Sequence, residues 1–174
     1  MVGSSGIRWV RVDPGTTDRE RNWQMFLGAY EHMLDDKGRV SLPVRFRDTL
    51  STHGDSRLVL TTNVDPGACC LVAYPVGEWQ VFQEKVAGLP QFDESVILLR
   101  RLHIAGAAEC LADRQGRILI PQILREYAGL SGAVVFAGLG NSIEIWDRER
   151  WTKERDRAKE SLPQISEALA RFGL

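Results

Sequence analysis

The sequence is poor in cysteine and has almost no net charge. Its three cysteines include the adjacent Cys69 and Cys70 but no C-x-x-C pair, so they offer no disulfide framework and favour reduced thiols in a cytoplasmic protein. A formal net charge of −1 argues against a generally basic surface, so any contact with nucleic acid must come from a local cluster of Arg and Lys. No hydrophobic run is long enough to span a membrane.

Residues typical of a catalytic or metal site are few and scattered. His32, His53 and His103 lie in different segments without H-x-x-x-H spacing or cysteines at metal-ligand spacing, and no serine has a nucleophile-elbow pattern. The glycine pair in residues 138–141 lies between two predicted strands, which favours a turn over a phosphate loop. We therefore predict no enzyme activity, no cofactor, no metal site and no small-molecule substrate.

What the sequence does contain is one motif that occurs twice. Residues 35–43 read D-D-K-G-R-V-S-L-P, and residues 113–121 read D-R-Q-G-R-I-L-I-P, 78 positions later. Further segments match across the two copies at offsets of 78 or 72 positions: 26–31 with 104–109, Arg47 with Arg125, and 71–74 with 143–146. We infer two copies of a unit of roughly 50 residues, each marginal as an isolated domain, which pack on each other.

The repeated motif has the chemistry of a tight turn. Asp35 and Asp113 can accept backbone N–H bonds from the residues that follow, and Gly38 and Gly116 supply the positive φ of a tight return. The Arg after each glycine can pair with the Asp, so it is held structurally, presented at the tip, or both. Asp35 and Asp36 do not form a repeated carboxylate pair, because the second copy has Arg there.

Hydrophobic periodicity predicts the remaining elements. Strands are expected at 58–61, 71–74, 134–137 and 142–146, and helices at 43–50, from residue 75 to Gly88, at 93–103 and at 153–160. Beyond Pro163, which breaks the charged helix, Ile165, Leu169 and Phe172 fall on one face of a possible short docking helix. Each repeat therefore reads strand, turn, short strand, helix, and two helices separate the repeats.

The two Asp-x-x-Gly-Arg turns, residues 25–28 (M-F-L-G) and residues 143–147 (I-E-I-W-D) together closely resemble the MraZ proteins, bacterial relatives of AbrB-type transition regulators. The resemblance covers residues 25–151. It implies an α+β fold in which two AbrB-like swapped-hairpin repeats form a small double-psi-type or swapped-hairpin β-barrel, with short helices and a helical pair between the repeats. It also implies a ring of subunits that binds double-stranded DNA at short direct repeats upstream of the division and cell-wall gene cluster.

This resemblance divides the chain into five expected segments. They are a flexible N-terminal leader at 1–24, a first repeat at 25–80, linking helices at 81–103, a second repeat at 104–151 and a charged helical tail at 152–174. The leader is either a disordered extension or a segment packed on the barrel, and we favour the first. Its arginines interrupt any signal-peptide region, so we exclude secretion and expect a cytoplasmic protein. The DNA binding that the resemblance implies would also make it nucleoid-associated.

The resemblance assigns DNA binding to basic residues of the turns: Lys37, Arg39, Arg117 and, as a helper, Arg114. Gln115 replaces Lys37 in the second copy, so the two turns need not contribute equally. Three further arginines near the predicted helix starts belong either to a solvated helix face or to phosphate contacts: Arg45, Arg47 and Arg125. The alternative function is that of an AbrB-like antitoxin or protein-interaction module, with the tail binding a protein partner.

Overall fold

The structure is a computed structural model that describes residues 25–52, 54–65 and 67–173. The predicted leader at 1–24 lies outside the described residues, and so does His53.

The described chain contains eight strands and six helices and confirms the α+β class. The strands are β1 Phe26–Met33, β2 Arg39–Ser41, β3 Arg57–Thr62, β4 Leu71–Pro75, β5 Ala108–Leu111, β6 Arg117–Leu119, β7 Ala133–Gly140 and β8 Ile143–Asp147. The helices are α1 Val44–Thr52, α2 Val76–Ala87, α3 Glu94–Leu99, α4 Gln122–Ala128, α5 Arg148–Glu160 and α6 Leu162–Ala170. A π-helical turn, Arg100–Ile104, continues α3.

Several helix ends follow from local chemistry. Proline comes immediately before α2 and α4, where its missing N–H would have no partner in the helix. Asp93 and Asp147 cap α3 and α5 by accepting hydrogen bonds from backbone N–H groups of the first turn. Gly129 ends α4 in the left-handed conformation, with a φ of +61°.

The sheet is built by exchange of strands between the repeats. Six strands form one antiparallel sheet in the order β1-β7-β8-β4-β3-β5, while β2 and β6 form a separate two-stranded ribbon. The first strand of each repeat pairs inside the other one, β1 with β7 and β5 with β3. Within the described residues β1 and β5 are the edges of an open sheet, and no pairing closes it into a barrel.

The register of the pairs reveals a pseudo-twofold axis. Val40 lies opposite Ile118 in the ribbon, and Val72 lies opposite Glu144 in the sheet. Each of these pairs joins two positions that are equivalent in the repeat, at offsets of 78 and 72. The axis therefore passes through both pairs and relates one repeat to the other.

The main core lies between the sheet and the ribbon, and both repeats contribute to it. Phe26, Phe46, Leu60, Ile118 and Phe136 are each at most 1% exposed. Phe26 and Phe46 meet edge to face with ring centroids 5.4 Å apart. Burial of such a side chain contributes about 1.5–3 kcal/mol relative to exposure, so the shared core ties the two repeats together.

The second hairpin confirms the predicted strands, but its turn is shorter than expected. β7 runs through the glycine pair to Gly140, because β1 pairs along its whole length and places Phe26 opposite Gly140. A Cβ on Gly138 would lie 2.7 Å from the backbone N of Leu27. The turn therefore consists of Gly140 and Asn141, inside the predicted 138–141, whereas Gly138 serves the close approach of two strands.

The C-terminal helices lie on the surface. Neither α5 nor α6 contains a buried residue, and Ile165, Leu169 and Phe172 are exposed, so their face is not docked on the described part of the chain. The described helices include none with both the length and the apolar character needed to cross a membrane.

Candidate nucleic-acid interface

The first turn is organised around the carboxylate of Asp35. Its Oδ1 accepts hydrogen bonds from the backbone N–H groups of Lys37 at 3.0 Å and Arg39 at 2.8 Å. Its Oδ2 accepts from the Arg39 side chain, with Nε at 2.8 Å and Nη2 at 2.7 Å. Gly38 donates its N–H to the Asp35 carbonyl at 2.9 Å and has a φ of +79°. One carboxylate thus holds both the turn and the guanidinium that follows it.

The second turn repeats this network. Oδ1 of Asp113 accepts from the backbone N–H groups of Gln115 at 2.9 Å and Arg117 at 3.0 Å. Oδ2 accepts from Nε and Nη2 of Arg117 at 3.0 and 2.8 Å. Gly116, with a φ of +74°, donates its N–H to the Asp113 carbonyl at 2.8 Å. The two turns therefore present their arginines in the same way.

The hydrogen bonds also fix the charge of each turn. The backbone N–H of Arg39, and then its guanidinium, hold the pKa of Asp35 below its usual value. Arg117 lowers the pKa of Asp113 by the same two contacts. Both carboxyls are consequently ionised at neutral pH, and each turn carries a charged Asp–Arg pair.

The β2–β6 ribbon brings the two turn arginines to one surface. Arg39 lies opposite Leu119, and Val40 lies opposite Ile118. Because alternate residues of a strand point to opposite faces, Arg39, Arg117 and Leu119 share the outer face, while Val40 and Ile118 point into the core at 1% exposure each. Arg39 and Arg117 are diagonal neighbours across the two strands, and the Cα atoms of such neighbours are about 7–8 Å apart. We refer to this outer side of the ribbon as the ribbon face.

The other two predicted contacts lie further apart. Lys37 precedes β2 and Arg114 precedes β6, and both residues are exposed. Since β2 and β6 are antiparallel, the two turns lie at opposite ends of the ribbon. The structure therefore brings Arg39 and Arg117 together and leaves Lys37 and Arg114 as one exposed cation at each end.

The three arginines near the helix starts have different surroundings. Arg45 is exposed on α1, whereas Arg47 and Arg125 are partly buried. Arg47 lies against Gly116, and Arg125 lies against Gly38, so each contacts the turn of the opposite repeat. The sequence pattern did not indicate this crossing, and the only available signal was their common offset of 78 positions.

The two histidines in the described part of the chain, His32 and His103, lie far apart in the sequence and on different elements. His32 is partly buried and His103 is buried on the π-helical turn, on separate elements of the fold. Desolvation lowers the pKa of both imidazoles. Among the described residues, no group of three or more His, Cys, Asp or Glu side chains is placed to hold a metal ion.

Comparison with known proteins relates these turns to a family. A model of the MraZ protein family, described as antitoxin-like, matches the chain twice, over residues 25–101 and 103–172. The relatives of the chain include three proteins named "Transcriptional regulator MraZ". The one from Lachnoclostridium phytofermentans is 43% identical over 150 residues, covering 86% of this chain and 99% of the relative.

The other two relatives give the same picture. The protein from Carboxydothermus hydrogenoformans is 40% identical over 148 residues, covering 85% of this chain and 99% of the relative. The protein from Heliobacterium modesticaldum is 41% identical over 150 residues, covering 86% of this chain and all of the relative. With similarity across nearly the full length of these relatives, and with both halves matched by the family model, the chain belongs to the MraZ family.

Proposed function

We propose that this protein is a non-enzymatic, sequence-specific DNA-binding transcriptional regulator that acts in the cytoplasm on the nucleoid. The observation that carries the proposal is the ribbon face, where Arg39 and Arg117 share one exposed surface and a carboxylate orients each guanidinium. The name of the relatives, which are called transcriptional regulators, points in the same direction.

The dimensions of the ribbon suit the major groove of DNA. That groove is about 12 Å wide and admits a two-stranded antiparallel ribbon. In Arg39 and Arg117, Nε and one N–H of Nη2 bind an Asp, which fixes the plane of the guanidinium and leaves Nη1 and the second N–H of Nη2 for a base. An oriented guanidinium can contact O6 and N7 of guanine, whereas Lys37 and Arg114 at the two ends suit phosphate contacts.

We further propose the assembly and the target. Exposed apolar side chains on the helical pair and on α6, such as Leu98, Leu102 and Leu169, supply surface for contacts between subunits. A ring would let successive subunits bind successive short direct repeats upstream of the division and cell-wall gene cluster. Linking several weak sites raises apparent affinity without new contacts, which suits a protein with few cations per subunit.

The proposal extends to the fold. The exchange of β1 and β5 between repeats, together with the cross-repeat ribbon, supports a swapped-hairpin arrangement of two AbrB-like units. In this view the pseudo-twofold axis of the chain is also the axis that places the two turns symmetrically on DNA.

A second candidate function is that of an antitoxin-like module that binds a protein. It is favoured by the description of the family model and by the undocked apolar face of α6. A stable protein partner combined with no binding to any DNA would favour this candidate.

An electrophoretic shift assay tests the main proposal. The duplex should contain the DNA upstream of the division and cell-wall genes of the source genome, and a shuffled duplex of equal length is the control. We expect stepwise retarded bands on the first duplex and weaker, salt-sensitive binding to the control. Equal binding to both duplexes at physiological salt would rule out sequence-specific recognition.

A further inference from the structure

Each turn is covered by an arginine that belongs to the opposite repeat. A Cβ built on Gly116 would lie 2.8 Å from Cζ of Arg47, and one built on Gly38 would lie 2.7 Å from Cζ of Arg125. Both distances are under the 3.0 Å below which real Cβ atoms are essentially never found. The positive φ of each turn favours glycine, and a guanidinium from the opposite repeat occupies the space where a side chain would otherwise begin.

The backbone holds this crossing in place. Leu42 donates its N–H to the carbonyl of Gly116 at 2.9 Å, and Ile120 donates to the carbonyl of Gly38 at 2.9 Å. Leu42 and Ile120 are buried at 2% and 0% exposure, and they lead into α1 and α4. The start of each of these helices is thereby fixed beside the turn of the other repeat.

The net charge of the first turn, and so its attraction for an anion, depends on the arginine that the opposite repeat adds. The first turn contains two carboxylates, Asp35 and Asp36, and two cations, Lys37 and Arg39, so its formal charge is zero. The opposite repeat adds Arg125 and makes the total +1. Without that arginine the first turn would have no net attraction for a phosphate.

The net charge of the second turn also depends on an arginine from the opposite repeat, but to a smaller degree. Asp113 is outweighed by Arg114 and Arg117, which gives +1, and Arg47 raises the total to +2. The replacement of Asp36 by Arg114 therefore makes the second turn the more cationic of the two.

Arg47 and Arg125 are also uncommitted to other charges. Neither guanidinium forms an ion pair with a carboxylate in the part of the chain that the structure describes. Arg125 donates Nε to the carbonyl of Ile120 at 3.0 Å, which anchors its stem and leaves its Nη groups for another acceptor. Nε of Arg47 is buried and has no hydrogen-bond partner among the described residues.

We infer that Arg47 and Arg125 are phosphate-binding residues of the DNA interface, and that each completes the turn of the opposite repeat. Each phosphate site is thus composite, with a glycine turn from one repeat and an arginine from the other. This inference rests on the proposed DNA-binding function.

The test is the salt dependence of DNA affinity in variants that either remove or keep the positive charge of these arginines. Arg125→Gln and Arg47→Gln remove the charge but keep a side chain over the glycine, whereas Arg125→Lys keeps the charge. Affinity is measured by fluorescence anisotropy from 50 to 200 mM salt, on the upstream duplex and on a shuffled one. Arg101→Gln is the matched control, because it removes an exposed cation from the π-helical turn.

The plot of log K against log salt has a negative slope, and each Gln variant should make it shallower by about 0.9 per bound subunit. The change should be equal on both duplexes. Arg125→Lys and Arg101→Gln should keep the parental slope. If the Gln variants also keep it while Arg39→Ala reduces sequence preference, the inference is wrong and the proposed function stands. If the parent binds neither duplex, the proposed function fails and the inference falls with it.

A second measurement needs no variant and so does not depend on folding of the substituted chains. The parent is labelled with an arginine-specific dicarbonyl reagent, with and without the upstream duplex, and the labelled peptides are quantified by mass spectrometry. DNA should protect Arg125 and leave Arg101 reactive. Equal labelling of Arg125 in the presence and absence of DNA would overturn the inference.

Discussion

Replacement of both ribbon arginines by alanine is the most direct test of the ribbon face. Nε and Nη2 of Arg39 lie 2.8 and 2.7 Å from Oδ2 of Asp35, and those of Arg117 lie 3.0 and 2.8 Å from Oδ2 of Asp113. The double variant therefore removes two cations and also leaves the two carboxylates without their partners.

The expected loss follows from the number of contacts. A bidentate contact between Arg and guanine discriminates against a wrong base by about 1–3 kcal/mol, so two contacts give about 2–6 kcal/mol per subunit. At about 1.4 kcal/mol per tenfold change, the preference for the operator over an unrelated duplex should fall roughly 30-fold to 10⁴-fold. The salt slope should change little, since these arginines are assigned to bases rather than to phosphates.

The fold should survive this change. Val40 and Ile118, which alternate with the arginines, hold the ribbon in the core at 1% exposure each. Competition anisotropy gives the preference, and circular dichroism and light scattering check folding and assembly. A variant with Arg39→Lys and Arg117→Lys is the matched control, because it keeps the charge but loses the planar fork. A folded, oligomeric alanine double variant that prefers the operator as the parent does would show that the turns are structural.

Four further outcomes are expected. Lys37→Ala should weaken binding to all duplexes alike and lower the salt slope by about one, as anisotropy titrations would show. Ile118→Ala should reduce the free energy of unfolding by about 2–5 kcal/mol in urea titrations, whereas Leu119→Ala, at a position 55% exposed, should change it little. Because the pKa of Asp35 and Asp113 is lowered in the fold, their stabilisation is complete above the unfolded pKa of about 3.9 and is lost as pH falls through the folded value, so the Tm should drop below about pH 4 and drop less when both are Asn. Multi-angle light scattering at micromolar concentration should report a species larger than a dimer, and a monomer would contradict the proposed ring.

The geometry of the turns follows closely from their sequence. An Asp, a Gly three positions later and an Arg directly after it leave few ways to satisfy the backbone, and the structure uses the same bonds in both copies. The helices between the repeats could also be predicted from the sequence, because the apolar stripe of α2 identifies Trp79 and Val86 as buried. These features depend on contacts between residues that are close in sequence.

The exchange of strands between the repeats could not be predicted from the sequence, because a local pattern does not identify the partner of a strand. The alternation in β2 identifies Val40 as the buried residue, but not Ile118 of the other repeat as its neighbour. The same limit applies to Arg47, whose place in the first turns of α1 suggested only a solvated face or a phosphate contact. Its position on Gly116 requires the tertiary crossing of the two repeats.

The exchanged strands also set the order in which the nascent chain can fold. Met33 pairs with Ala133 and Phe26 pairs with Gly140, so β1 leaves the ribosome 100 to 114 residues ahead of its partner. At about 5–20 residues per second this delay amounts to roughly 5 to 20 s. During that time β1 is an unpaired strand with Leu27 and Met33, which stay exposed even in the folded sheet. The first repeat cannot pair β1 until β7 has been synthesised, so this part of the sheet forms late.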